Sequence, residues 1–366
     1  MRVIAVLCFL AALTGYLPAI AQQAARGSEG AARPALLSAR VAPTVEGKAT
    51  GYVLVTWGDA TLMARGFGSE AERIPTPTRA TAFDLSSISK LFTAVAILRL
   101  ADQNRVNLDS PIRRYLPELP ARLQDITLRH ALQHDTGFPP YLTGDDQTQK
   151  SAAEVLAEIA SISRERQAGS GFAYSDVGYV ALALVVERVS GRPFREAMRQ
   201  LVLRPAKLTR TGFYGDRWAP NSVAMEYAKG AATGSPATFR FTYAIAGTGQ
   251  VAASVDDLRR LFAQLNAGGF LSRRSRLLLF SPGISTSGRL PYRGPDVLDV
   301  TYSMGLFHFR DRQGRIAHGH GGANEFGGHA FVYWRPDDEL FVAALFNSGA
   351  QTFARGAFMA AVTAAD

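Results

Sequence analysis

Cysteine is almost missing from this 366-residue chain: the only one is Cys8. That scarcity excludes a disulfide scaffold and any cysteine-ligated metal site. Lysine is nearly as rare, since Lys48, Lys90, Lys150, Lys207 and Lys229 are the only lysines among 40 basic residues. After the first residues no apolar run approaches the length needed to span a bilayer. Charged residues make up only 19% and hydrophobic ones 47%, which excludes a disordered chain. With 34 Gly and 18 Pro, collagen-like and low-complexity repeats are excluded as well. The length allows one large domain or two lobes around a substantial core. The formal charge of +9 raises the question of nucleic acid. The basic residues are scattered, with short clusters such as Arg273-Arg274 and no interleaved aromatics. A solvated, arginine-rich surface accounts for them, and no nucleic-acid partner is expected.

The first residues account for Cys8. Met1-Arg2 is a basic start, Val3 to Leu13 an apolar run, and Ala19-Ile20-Ala21 an A-x-A ending. This pattern predicts a signal peptide over 1–21, cut after Ala21, and a periplasmic or secreted protein without a transmembrane anchor. Residues 22–43, rich in Ala, Gly and Arg, predict a tail or linker before a domain over 44–366.

Tyr52–Trp57 and Thr61–Gly66, joined at Gly58-Asp59, predict a hairpin. Ser86–Ala101 is apolar nearly all round and predicts a buried helix. Helical patterns dominate to about residue 267, including 152–162, 177–189, 194–203 and 255–266. Strands return at 302–309, 330–334 and 341–346, before a closing helix over 353–364. The predicted class is α+β: an antiparallel sheet built by both chain ends and flanked by helices, with a mainly helical lobe over about 100–267. A site between sheet and lobe is the default expectation.

Ser87-Ile88-Ser89-Lys90 opens the buried helix, and Ser and Lys three apart share a helix face. A serine hydroxyl is a weak nucleophile until a base takes its proton. A lysine held among apolar residues resists charging, so its pKa falls towards a useful range. Serine could instead merely cap the helix, but a lysine followed by Leu-Phe-Thr-Ala-Val-Ala-Ile-Leu does not fit a solvated surface. Tyr174-Ser175-Asp176 precedes another helix. There Tyr174 could exchange protons in a cleft, or Asp176 could cap the helix with Tyr174 packed on its first turn. Glycines in His318-Gly319-His320-Gly321-Gly322-Ala323 let backbone N–H groups approach a ligand closely. A metal reading of His318 and His320, with His308 and His329 nearby, lacks acidic residues at ligand spacing. In His130-Ala131-Leu132-Gln133-His134 an alanine replaces the glutamate a zinc protease requires.

Taken together, Phe83-Asp84-Leu85-Ser86-Ser87-Ile88-Ser89-Lys90, Tyr174-Ser175-Asp176 and His320-Gly321-Gly322 resemble, in order, the motifs of the penicillin-recognising serine hydrolases. That family comprises class C β-lactamases, D,D-peptidases, D-aminopeptidases and related esterases. The segments Thr127–Gly137, Gly249–Leu258 and Leu345–Ser348 are similar to it too, so the likeness runs from about Val53 to the C-terminus. The resemblance implies a β-lactamase-like fold and an acyl-enzyme on Ser87, with Lys90 and Tyr174 sharing the proton transfers. It implies an oxyanion hole from the backbone N–H groups of Ser87 and Ala323, and no metal or cofactor. Asp176, His320, Gly321 and Gly322 would bind substrate. Asp176 stands where the family usually has Asn, and as a carboxylate it only accepts hydrogen bonds. Near Lys90 it would favour the charged lysine, which argues for Tyr174 as the base. His320 stands where β-lactamases commonly carry Lys, so capture of a substrate carboxylate should be weak and acid-dependent. The expected substrate is a small molecule or peptide, cell-wall peptides included. D-amino-acid peptides or esters rank above β-lactams. The alternatives are a β-lactamase proper, or a catalytically silent binder of cell-wall peptides on the same fold.

Overall fold

A computed structural model describes residues 33–68, 74–164, 166–286 and 297–365. The predicted signal peptide lies outside the described residues. Among them, no helix is long and apolar enough to cross a membrane.

The strands, in chain order, begin with the hairpin β1 (Gly51–Trp57) and β2 (Ala60–Phe67), followed by β3 (Phe83–Asp84) and β4 (Thr211–Phe213). Then come β5 (Glu226–Ala228), β6 (Ala231–Gly234), β7 (Val251–Ala253) and β8 (Ile284–Ser285). Last are β9 (Val297–Ser303), β10 (Leu306–Asp311), β11 (Ile316–Ala323), β12 (His329–Arg335) and β13 (Leu340–Phe346). Eight of them form one sheet in the order β2-β1-β13-β12-β11-β10-β9-β8, with antiparallel neighbours throughout. The two chain ends meet near one edge, as its second and third strands, where Gly51–Trp57 runs antiparallel to Leu340–Phe346. This is the architecture that the sequence pattern predicts.

Alternation along the central strands divides two apolar cores. Tyr52 and Leu54 face the helical side, while Val53 and Val55 face the opposite layer. The helix Ser89–Asp102 is buried along nearly its whole length between the sheet and the helix Asp176–Ser190. Its even apolarity follows from that central place, since every side meets another element.

Two expectations need correction. From residue 33 to 45 the predicted linker is a helix, with Leu37, Val41 and Val45 fully buried against the outer face of the sheet. Those three residues recur every four positions, a helical stripe hidden by the Ala-, Gly- and Arg-rich composition around it. The single strand predicted over 302–309 is instead the hairpin β9–β10. Met304 and Gly305 turn it with φ of 51° and 82°, the paired left-handed residues of a tight hairpin.

Candidate active site

Strand β3 leads into a 3₁₀ turn at Ser86–Ile88 that continues into the helix Ser89–Asp102. Ser86 takes φ +44°, a costly conformation for a residue with a Cβ. Its N–H donates to Asp84 Oδ1 at 2.6 Å, which ties that conformation down. The turn leaves Ser87 half-buried on a cavity wall, and Lys90 follows one turn later with no exposed surface.

Lys90 Nζ lies 3.0 Å from Ser87 Oγ, 3.3 Å from the Thr248 carbonyl and 2.9 Å from Asp176 Oδ1. It also sits 4.9 Å above the centre of the Tyr174 ring. Burial pushes the lysine pKa down, and the Asp176 carboxylate opposes that without reversing it. Burial, and then the Asp176 charge, push the Tyr174 hydroxyl well above its ordinary value, although it shares a hydrogen bond with Ser87. Asp176 is thus as close to Lys90 as the sequence argument supposed. Burial opposes the effect of that ion pair on Lys90, and it also opposes a Tyr174 phenolate.

Strand β11 supplies the opposite wall. A Cβ on Gly322 would lie 2.3 Å from the Leu85 carbonyl and 3.0 Å from Ser87 N, so only glycine lets the strand approach the turn. Gly322→Ala is expected to destabilise the protein by about 1–3 kcal/mol, as overpacking does; urea unfolding checks this, and unchanged stability would mean the strand is not held there. Next along, Asn324 N donates to the Gly328 carbonyl across the ladder. By alternation the Ala323 N–H points to the other edge, where the pairing with β10 ends at Gly319. The N–H groups of Ser87 and Ala323 therefore border one cavity of about 390 Å³.

His320 lies behind this cavity, 2% exposed, against the rings of Tyr174, Tyr302 and Phe307. Burial first, and Lys90 second, push its pKa down to about 3. It therefore stays neutral where an ordinary imidazole would gain charge, and the acid-dependent carboxylate capture expected of it does not follow from this placement. Gly321 adjoins it, with its carbonyl 2.6 Å from His320 Nδ1. His318 and His308 pair with each other instead, Nδ1 to Nδ1 at 2.8 Å, and His329 faces the Gly349 carbonyl. Among the described residues no group of three or more His, Cys, Asp or Glu is arranged to hold a metal.

Ser87, Lys90, Tyr174, Asp176, Gly322 and Ala323 are thus brought together from three segments far apart in sequence. Sequence reasoning missed several of their neighbours. His134, dismissed there as half of a failed zinc motif, lies with its ring 4.2 Å from that of Tyr174 and its Nδ1 on the Ser175 backbone. Asp84, Tyr214 and Glu226, all buried, form a polar cluster with the half-buried Asn324 beside the nucleophile turn. Of these, Asp84 stands three residues before Ser87, and Tyr214 repeats the Tyr-x-Asp spacing in Tyr214-Gly215-Asp216 without a helix after it.

Comparison with known proteins gives the chain a family and relatives. A family model described as Beta-lactamase matches residues 37–365. The chain is 28% identical over 254 residues to Penicillin-binding protein 4* of Bacillus subtilis, covering 63% of this chain and 55% of that one. It is 32% identical over 169 residues to Esterase EstB of Burkholderia gladioli, covering 41% and 42%. The chain spans about half the length of the curated relatives it matches. Among solved structures, D-amino acid amidase from Ochrobactrum anthropi SV3 superposes with a TM-score of 0.72 at 18% identity, over 92% of this chain and 99% of that one.

Proposed function

The chain belongs to the beta-lactamase family, and on that premise we propose that it is an exported serine hydrolase cleaving an amide or ester through an acyl-enzyme on Ser87. The observation that carries this reading is a serine hydroxyl on a cavity wall, 3.0 Å from a fully buried lysine amine. As a neutral amine, Lys90 has two N–H groups, one for the Thr248 carbonyl and one for the side of Asp176, whose Oδ1 is 2.9 Å away. Its lone pair is then left for the Ser87 proton. Ser87 Oγ attacks the substrate carbonyl as Lys90 takes that proton. The carbonyl oxygen gains negative charge between the N–H groups of Ser87 and Ala323. Tyr174, kept as a phenol by burial, donates a proton to the departing amine or alcohol and recovers it from Lys90. Water then attacks the acyl-enzyme by the same route in reverse, releasing the acid and restoring Ser87.

The cavity wall favours one kind of substrate. Asp145, Asp146, Asp176 and Glu325 line it, and no lysine or arginine is among the lining residues. Burial first, then the nearby Glu325 and Asp176 charges, push the Asp146 carboxyl up to about 6. A D-amino-acid ester, amide or peptide with a free ammonium group offsets that negative charge, whereas the carboxylate of a penicillin adds to it. Export rests on the basic start, the apolar run and the Ala19-Ile20-Ala21 ending of the first 21 residues.

Intact mass and product formation should be followed after adding a penicillin, and separately a D-phenylalanine ester. The ester is expected to be turned over with a clean protein mass, and the penicillin to acylate Ser87 slowly or not at all. Fast penicillin hydrolysis with a clean mass would make this a β-lactamase. Failure to react with the ester, the penicillin and a fluorophosphonate alike would favour a silent binder.

A further inference from the structure

One carboxylate is hydrogen-bonded both to the residue before Ser87 and to the residue after Ala323. Asp84 Oδ1 accepts from Ser86 N, immediately before Ser87. Asp84 Oδ2 accepts from Asn324 Nδ2 at 2.8 Å, immediately after Ala323, and from the Tyr214 hydroxyl. The amide of Asn324 cannot turn away from it. Its Oδ1 is held by the N–H groups of Phe326 at 3.0 Å and Gly328 at 2.8 Å, so Nδ2 must face the carboxylates. The same Nδ2 donates to Glu226 Oε2 at 2.9 Å, on the separate ribbon β5–β6. Asp84 and Glu226 are both buried, at 2% and 1% exposure. Two buried carboxyls so close cannot both ionise cheaply, and burial raises the pKa of each. Such a costly cluster, beside a residue in left-handed backbone, calls for a reason other than stability.

We infer that Asp84 and Asn324 form a latch that sets the distance between the Ser87 and Ala323 N–H groups, making both of them positioning residues for the reaction. The inference rests on the acyl-enzyme reading above, because it assigns the latch to that oxyanion hole. Its physical basis is geometric. Oxyanion donors act only when aimed at the developing charge, and small misplacements distant from the chemistry cost heavily. Among the described residues, no other side-chain hydrogen bond joins the segment before Ser87 to the segment after Ala323.

The test uses the full chain, a D-phenylalanine ester as substrate, and three variants: Asp84→Asn, Asn324→Asp and the two combined. Asp84 receives two donors, so Asp84→Asn must set an N–H against either Ser86 N or Asn324 Nδ2, while Asn324→Asp sets two carboxyls against each other; each single change therefore weakens the latch. The combined change rebuilds it with donor and acceptor exchanged. The amide at position 84 keeps an oxygen for Ser86 N, and a protonated Glu226 can donate to the new carboxylate. Each single variant is expected to lose about 10- to 100-fold in kcat with KM changed less than about threefold, and the double to recover at least about half of that loss on a logarithmic scale. Melting curves and fluorophosphonate labelling count the folded sites, so that kcat is expressed per competent enzyme. Asn324→Ala serves as a second probe should Asn324→Asp fail to fold. Single variants within twofold of wild-type kcat, or a double variant with the summed loss of both, would overturn the latch. Should the wild type itself show no Ser87-dependent turnover, the acyl-enzyme reading falls and takes the latch with it.

Discussion

Ser87→Ala is expected to fold like the wild type and to lose at least about 10,000-fold in turnover, the scale seen when a catalytic nucleophile is removed. The two halves of that expectation have separate physical grounds. Stability is spared because the hydroxyl sits on the cavity wall, so its loss opens no void in the core. The turn around it is held by other groups: Asp84 on Ser86 N, and the buried side chains of Leu85 and Ile88. A surface change of this kind shifts stability by no more than about 0.5 kcal/mol. Turnover is lost because Ser87 carries the only hydroxyl that lies against the Lys90 amine among the hydrogen bonds of the described residues. Tyr174 cannot replace it as a nucleophile, since burial and the Asp176 charge hold its phenol well above the ordinary value. The residual rate would come from polarisation of the substrate carbonyl by the two backbone N–H groups. Steady-state hydrolysis of a D-phenylalanine ester, beside a thermal melt, checks both halves. More than a tenth of wild-type turnover in a folded variant would remove Ser87 from the mechanism.

The residues alone point to Ser87 and Lys90, which are neighbours both in space and in sequence, whereas Tyr174, Gly322 and Ala323 join them only through the family resemblance. Ser87 and Lys90 are one helical turn apart, and lysine is so rare here that one inside an apolar helix stands out. The sheet could be read because its strands alternate or run apolar for five to eight residues, and because both chain ends show the pattern. The helix over 33–45 could not, since three buried side chains were outweighed by the small and charged residues between them. The buried cluster was harder still. Asn324 meets Asp84 across 240 positions and Glu226 across 98, and single Asp, Glu and Asn residues ordinarily signal a wet surface. For His320 the motif gave the position in the strand but not the depth. Only the packing of Tyr174, Tyr302 and Phe307 around it shows that the imidazole is sealed off and neutral.

Lys90→Met should separate stability from activity. Turnover is expected to fall by about 1,000-fold or more, because general-base assistance and the relay to Tyr174 both depend on that amine. Stability at neutral pH is expected to hold or rise. Lys90 has no exposed surface, and its pKa is lowered by burial despite the Asp176 ion pair at 2.9 Å, so the native state pays a penalty for keeping an ammonium there. Methionine fills much the same volume without charge. Asp176, whose side chain is 17% exposed on the cavity wall, can turn to water when its partner is removed. The sign of the pH dependence follows from the direction of the shift. A lysine whose folded pKa is depressed binds fewer protons folded than unfolded, so its unfavourable contribution is complete below the folded pKa. It fades as pH rises towards the unfolded value near 10.5. Wild-type stability relative to Lys90→Met should therefore climb between neutrality and about pH 10, which urea titrations of both proteins at several pH values would measure. Asp176→Asn gives the matching kinetic shift. Removing the carboxylate removes the main influence holding the lysine pKa up, so the acid limb of kcat/KM should move to lower pH. An acid limb that stays in place would mean that the group titrating in the rate is not Lys90. A Lys90→Met protein less stable than the wild type would mean that the buried ion pair is a structural strut rather than a cost borne for catalysis.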